Sequence, residues 1–350
     1  MFTLSDCKNR KKFQYTRCFW KLKLNKNSVE SFAVWLIYSI FANERHCNAV
    51  AGHSIMKDNI AEYTLNISGK LLSLREPLVM GILNCTPDSF YEGSRKQTEI
   101  EIAARANEII EDGGRIIDVG AFSTRPGADQ VSEEEEMERM RFALRVVRGQ
   151  QPDAVLSVDT FRRDVAKMAV EEFGAGVIND VSGGNPDGAY GGEASANDID
   201  SDETADCAPV LEESWRGGVP YVLMSSQGSL EDTMKFFALR IRQLRARGQR
   251  DIILDPGFGF GKTMEQNFDT LQRMELLQEF GLPVLAGLSR KTMIWRTLGI
   301  TPVEALNGTT VLNTIALMKG ARILRVHDIR EAVETIRLTM TMTKTGTPNS

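Results

Sequence analysis

Three acceptor-rich side chains follow short apolar runs: Asp159 after Leu156-Ser157-Val158, Asn179 after Val177-Ile178, and Asp255 after Ile252–Leu254. Such a carboxylate, amide and carboxylate set suits a flat, nitrogen-rich heterocycle offering several N–H donors. It would reject a ring without them, because its buried acceptors would stay unpaired. A second set, Arg125, Lys291, Arg325 and His327, supplies positive charge and donors for a phosphate or carboxylate. Together they suggest a heterocycle carrying an anionic leaving group, or one that meets an anionic second substrate. No Ser/His/Asp or Cys/His nucleophile set is present, nor a pair of glutamates of the glycosidase kind. Asp251–Thr263, DIILDPGFGFGKT, nearly matches a phosphate-cradling loop, but Pro256 stands where the first glycine is required. Its glycines, at every second residue, do not make a dinucleotide fingerprint either.

The same residues occupy equivalent places in a repeating pattern. Apolar runs at Leu78–Leu83, Ile116–Val119, Val155–Val158, Val177–Ile178, Tyr221–Met224, Ile252–Leu254, Val284–Leu288 and Ile323–Val326 read as strands buried on both faces. Between them lie stretches at helical spacing: Ile100–Asp112, Ser132–Arg148, Phe161–Phe173, Leu230–Arg247, Glu265–Phe280, Pro302–Lys319 and Asp328–Thr341. Ser132 with Glu135 reads as a capping box. Tyr63–Leu74, with a turn at Ser68-Gly69, predicts a hairpin over one end of the fold. Eight strands alternating with helices predict an α/β fold, a (β/α)8 TIM barrel, over an open doubly wound sheet.

In such a barrel the working groups sit just past the C-terminal ends of the strands. Those positions hold Asn84, Ser123-Thr124-Arg125, Asp159, Asn179-Asp180, Ser225, Asp255, Ser289-Arg290-Lys291 and Arg325-Val326-His327-Asp328. Any one of them could merely cap a helix. Eight polar strand ends in one ring point to a site.

Composition narrows the partners. The chain has 350 residues, 42% hydrophobic, and a formal charge of −5, which implies no basic surface for nucleic acid. Five cysteines without C-x-x-C spacing suit a reducing cytoplasm, and three histidines leave little for zinc. Residues 1–55 differ from the rest, being basic as far as Asn27 and carrying an apolar run, Phe32–Ala42, too short to span a bilayer. We expect 1–55 to be a non-native or disordered extension, Met56 the natural start, and 56–345 the working domain, with no membrane partner. The polar stretch Gly188–Cys207 reads as a solvated loop, and Glu212–Trp215 as the remnant of a fourth helix.

Taken in order, LVMGILNCTPDSFYEGSR (Leu78–Arg95), IIDVGAFSTRPGA (Ile116–Ala128), LSVDT (Leu156–Thr160), INDVSGG (Ile178–Gly184), ILDPGFGFGKT (Ile253–Thr263), GLSRK (Gly287–Lys291) and RVHDIRE (Arg325–Glu331) resemble dihydropteroate synthase. The resemblance runs from about Tyr63 to Thr341. It implies a barrel enzyme that joins (7,8-dihydropterin-6-yl)methyl diphosphate to 4-aminobenzoate, giving dihydropteroate and diphosphate. By that likeness Asp159, Asn179, Asp255 and Lys291 hold the pterin, Met224 and Val181 line its pocket, and Arg325 lies against its face. Asn84 would bind Mg²⁺, while Thr124, Arg325 and His327 meet the diphosphate. Thr124, Arg125, Pro126, Phe260 and Ser289 would shape the aminobenzoate site. Asp88 and Arg125 lie on loops that close over the substrates, and with Asp159 and Lys291 make the implied catalytic set. A cytoplasmic homodimer is implied as well.

The chain departs from the family pattern at Met224-Ser225-Ser226, where a Met-His-Met-like sequence is usual, at Cys85, and in its long loop. Two other readings stay open at this point. One is a pterin-dependent methyltransferase, which shares the Asp/Asn/Asp set but lacks the Ser123–Gly127 and Ser289-Arg290-Lys291 signatures. The other is a catalytically silent pterin-binding homologue.

Overall fold

The computed structural model describes residues 62–85, 95–121, 131–184 and 218–345. The N-terminal extension, the 188–207 loop and Glu212–Trp215 lie outside those residues. Strands β1 (Thr64–Ile67) and β2 (Lys70–Ser73) form the expected antiparallel hairpin. Ser68 and Gly69 both have positive φ (49° and 85°), the twist a two-residue hairpin turn needs.

Eight parallel strands follow: β3 (Leu78–Asn84), β4 (Ile116–Gly120), β5 (Val155–Asp159), β6 (Val177–Asp180), β7 (Tyr221–Met224), β8 (Ile252–Asp255), β9 (Val284–Ala286) and β10 (Ala321–Val326). They close in the order β10-β3-β4-β5-β6-β7-β8-β9. The helices among the described residues are α1 (Arg95–Glu111), α2 (Glu133–Gln150), α3 (Arg163–Phe173), α4 (Leu230–Ala246), α5 (Met264–Gln272), α6 (Thr292–Leu298), α7 (Leu306–Met318) and α8 (Ile329–Thr345). The expected (β/α)8 barrel is what the chain forms.

Some boundaries differ for local reasons. The helix expected over 265–280 breaks at Arg273 into α5 and a 3-10 stretch, Met274–Phe280, which Gly281 ends in the left-handed conformation. The sequence reading left out α6, which is only seven residues long before left-handed Gly299 stops it. Ser132 caps α2 by accepting from Glu135 N, but the Glu135 carboxylate turns to Arg139 instead of reaching back. The reciprocal box belongs to α5, between Thr263 and Gln266.

Side chains alternate across each strand, so each strand serves two cores. Outward residues such as Val79, Ile117, Val119, Leu156, Val158, Leu223 and Leu254 pack with helix residues that include Ile109, Met140, Leu144, Val165 and Phe237. Inward residues Leu78, Met80, Ile116, Val177, Val222, Ile253, Leu285 and Ile323 fill the lower barrel. Hairpin residues Leu65 and Leu74 complete that cluster and plug the barrel floor. Each fully buried side chain of this size contributes roughly 1.5–3 kcal/mol. Above this dry tier the inward positions turn polar.

Candidate functional site

On β4 the inward residues run Ile116, Asp118, Gly120; on β5 Val155, Ser157, Asp159; on β6 Val177, Asn179. The register sets Asp118 beside Ser157, Gly120 beside Asp159, and Asp159 beside Asn179. From across the barrel Arg325 of β10 reaches two of the acids. Its Nε donates to Asp118 Oδ2 at 2.7 Å and its Nη2 to Asp159 Oδ2 at 2.6 Å. Asn179 Nδ2 donates to the same Asp118 oxygen at 3.1 Å. Among the described residues Asp118 Oδ1, Asn179 Oδ1 and Ser157 Oγ are buried without a hydrogen-bond partner.

Burial pushes the Asp159 carboxyl up to about 7; Arg325 pulls it down while Asp118 pushes it up. Burial works against the Arg325 charge, but Asp118 and Asp159 more than offset it and hold the guanidinium protonated. Asp159 therefore titrates near neutrality beside a guanidinium that stays charged.

The β8 end carries Asp255, buried, its Oδ1 accepting from Gly257 N at 2.8 Å. Burial raises its pKa, opposed by that bond and by Lys291. Gly257 (φ 68°) and Gly261 (φ 59°) let this loop lie flat on the loop after β7. A Cβ on Gly257 would fall 2.1 Å from Ser225 O, and one on Gly261 2.3 Å from Ser226 O. Lys262 closes the seam, donating to the carbonyls of Ser225, Gly257 and Phe260 at 3.0, 3.3 and 3.4 Å. Burial lowers its pKa to about 8. The lysine of the near phosphate-loop match thus serves backbone carbonyls. Lys291 Nζ lies 4.2 Å from the centre of the half-buried Phe260 ring, a cation–π contact. Met224, buried, is the register partner of Asp255, and buried Val181 follows β6.

Ser289 Oγ and His327 Nδ1 share a hydrogen bond of 3.0 Å, and His327 N–H donates to Ser289 Oγ at 3.2 Å. Burial, helped by Arg325, lowers the His327 pKa to about 4. The sequence reading gave His327 positive charge; near neutral pH it is instead an uncharged hydrogen-bonding ring. Arg290, at the same strand end as Ser289, pairs elsewhere. With φ at 54° it turns away to grip both Asp328 carboxylate oxygens (3.0 and 2.7 Å) and the carbonyls of Pro302 and Val303.

Asn84 ends β3, exposed, beside Gly120; a Cβ on Gly120 would lie 3.5 Å from Asn84 Oδ1 and 3.6 Å from Asp159 Cβ. A neutral amide oxygen at the mouth fits Mg²⁺, which keeps few protein ligands when substrate phosphates supply the rest. No group of three His, Cys, Asp or Glu able to hold a metal occurs among the described residues. Ser225 is buried and bonds Thr233 Oγ1 at 3.3 Å, so the missing histidine leaves a packed position.

The structure thus joins Asp159 to Arg325 directly and Asn179 to Arg325 through Asp118, Phe260 with Lys291 by ring contact, and Ser289 with His327. Asp88, Thr124, Arg125 and Pro126 lie outside the described residues. Reading strand ends alone missed Asp118, Ser157 and Lys262. The first two were signalled by polar residues at alternate positions within otherwise apolar strands.

A family model for pterin binding enzymes matches residues 80–327. Dihydropteroate synthase of Escherichia coli (strain K12) is 36% identical over 285 residues, covering 77% of this chain and 93% of that protein. The Bacillus subtilis (strain 168) dihydropteroate synthase is 34% identical over 286 residues, 79% of this chain and 92% of its own. Among solved structures, Xanthomonas albilineans dihydropteroate synthase with 4-aminobenzoic acid superposes with a TM-score of 0.69 at 33% identity, covering 82% of this chain and 100% of that one. Yersinia pestis dihydropteroate synthase in a sulfonamide drug complex gives 0.66 at 32%, covering 81% and 100%. No helix among the described residues is long and apolar enough to cross a membrane.

Proposed function

The chain belongs to the pterin binding enzymes and, among them, to the dihydropteroate synthases, transferases of folate biosynthesis, and we propose how its strand-end residues divide that work. The observation that carries the assignment is the polar inner tier, where Asp159, Asn179 and Asp255 stand at the ends of β5, β6 and β8 above a dry floor. The methyltransferase and silent-homologue alternatives give way to relatives that are dihydropteroate synthases over most of the chain.

Asp159, Asn179 and Asp255 hold the pterin by its N–H donors, with Met224 and Val181 against its ring and Arg325 on its face. Lys291, kept beside Asp255 by Phe260, donates to the ring's acceptor side. Arg325, His327 and Thr124 meet the diphosphate, His327 as a neutral donor. An aromatic amine is a weak nucleophile, so catalysis must make the pterin methylene carbon electrophilic. Departure of diphosphate leaves a methylene cation delocalised into the pterin ring, which the negative charge of ionised Asp159 favours. Mg²⁺, held with the help of Asn84, would supply charge neutralisation on the diphosphate. Ser289, Phe260, Pro126 and Arg125 orient the aminobenzoate so that its amine faces that carbon. Asp88 and Arg125 help keep water from capturing the cation.

The reading extends to a cytoplasmic homodimer. Exposed apolar side chains on and next to α7 and α8, Val303, Val311, Met318, Leu338 and Met342, support a partner face. The test is diphosphate release by the full chain given the pterin diphosphate and Mg²⁺, with and without 4-aminobenzoate. Release that depends on the amine, with dihydropteroate formed in equal amount, is expected. Release without dependence on the amine, or none, would overturn the reading.

A further inference from the structure

Asp118 lies one register step below the strand-end residues to which the family likeness gives roles. It is fully buried on β4, and one of its oxygens, Oδ2, accepts from both Arg325 Nε and Asn179 Nδ2. An oxygen that takes both donors holds the Asn179 amide with its nitrogen toward Asp118. Asn179 Oδ1 is thereby left in the pocket, where it has no partner among the described residues. A buried carbonyl oxygen left unmet is costly, and a ligand N–H would relieve it. Arg325, meanwhile, is held at two points: Nε by Asp118, with 0% side-chain exposure, and Nη2 by Asp159 at the mouth, with 16%. A heterocycle that engages Asp159 through Oδ2 competes with Nη2 for that oxygen. The Nε grip lies deeper and does not face the competitor.

We propose that Asp118 is a positioning residue for the pterin: it fixes the Asn179 amide with its oxygen presented, and anchors Arg325 through Nε while Asp159 exchanges Nη2 for the ring. Without the anchor, Arg325 is free to close on Asp159 and block it, and Asn179 is free to flip. Asp118 acts here through Asn179 and Arg325, both assigned to the pterin, so its effect falls on recognition of one substrate. The inference rests on the pterin reading above.

Asp118→Asn keeps the shape of the side chain and replaces the acceptor pair with an amide. The expected result is a KM for the pterin diphosphate raised about tenfold or more, with the KM for 4-aminobenzoate within about twofold of wild type. Asp118→Asn added to Asn179→Ala should raise that KM less than it does in the wild-type background, because half of its action runs through Asn179. Equal changes in both KM values, no change in either, or full additivity with Asn179→Ala would overturn the proposal. A crystal structure of the wild-type protein with pterin bound tests it without any variant. Arg325 Nε should remain on Asp118 while Nη2 has left Asp159, and loss of the Nε contact would refute it. Failure of wild-type protein to turn over would instead sink the pterin reading itself.

Discussion

Asp159→Asn should abolish turnover and, in the same protein, remove a pH-dependent loss of stability. Burial holds the Asp159 carboxyl up at about 7, with Asp118, Glu136 and Asp180 adding to the shift and Arg325 opposing it. In the unfolded chain the same carboxyl titrates near its ordinary value of 3.8. Between those two values the folded chain keeps a proton that the unfolded chain has released, so stability falls as pH rises. From about pH 5 to the folded value the span is about two units, at about 1.4 kcal/mol each, giving a ceiling of about 2.7 kcal/mol. Asp159 keeps 16% side-chain exposure, and water at the mouth softens the penalty, so about 2 kcal/mol is expected. Asparagine still accepts from Arg325 Nη2 but does not titrate. Urea unfolding of both proteins at about pH 5 and about pH 8 isolates the effect, since other titrating groups enter both. The variant's stability should fall by about 2 kcal/mol less than the wild type's over that range. Its diphosphate release should drop at least about a hundredfold through loss of the charge facing the methylene carbon. Parallel stability profiles, or near-normal release, would refute the reasoning.

His327 shifts in the opposite sense. Its folded value of about 4 lies below the ordinary imidazole value of 6.5, so its contribution is present above 6.5 and is lost as pH falls toward 4. His327→Gln should therefore lose about 1–3 kcal/mol less stability than wild type between about pH 6.5 and about pH 4.5, read by urea unfolding. Gly257→Ala places a Cβ 2.1 Å from Ser225 O at a φ of 68°. It should cost at least about 2 kcal/mol in unfolding free energy and most of the turnover; an unaffected variant would mean the two loops do not touch. Leu74→Ala, in the barrel floor, should cost about 2–5 kcal/mol by thermal or urea unfolding. Its turnover per folded molecule should stay normal.

The barrel was legible because its strands are apolar runs buried on both faces, and every one of the eight appears where those runs lie. Their ends were legible for a related reason: a charged or amide residue directly after such a run has little to do in packing. Asp118 and Ser157 escaped because they sit inside runs that looked continuous, Ile116–Val119 and Val155–Val158. Only the closed geometry shows that alternate positions there face a polar interior. Lys262 escaped because its three partners are backbone carbonyls, which no side-chain motif reveals. The charge of His327 was misread for want of depth: residue type says imidazole, but burial beside Arg325 decides its protonation. Helix α6 ends at left-handed Gly299 after seven residues, a length at which periodicity carries little signal, and the break at Arg273 falls at a residue of negative φ that no stop signal marks.

The inward faces of the strands sort into a greasy lower deck and an ionic upper deck, and the two answer to different selective pressures. Changes to Val222, Ile253, Leu285 or Leu65 alter how firmly the molecule holds together while leaving the reacting groups alone. Changes to the acids and Arg325 alter reactivity, and some of them, by relieving crowded charge, toughen the scaffold as they disable it. Drift in reactivity and drift toward heat tolerance can thus proceed separately, deck by deck, so long as the seam at Gly257 and Lys262 keeps the rim in shape.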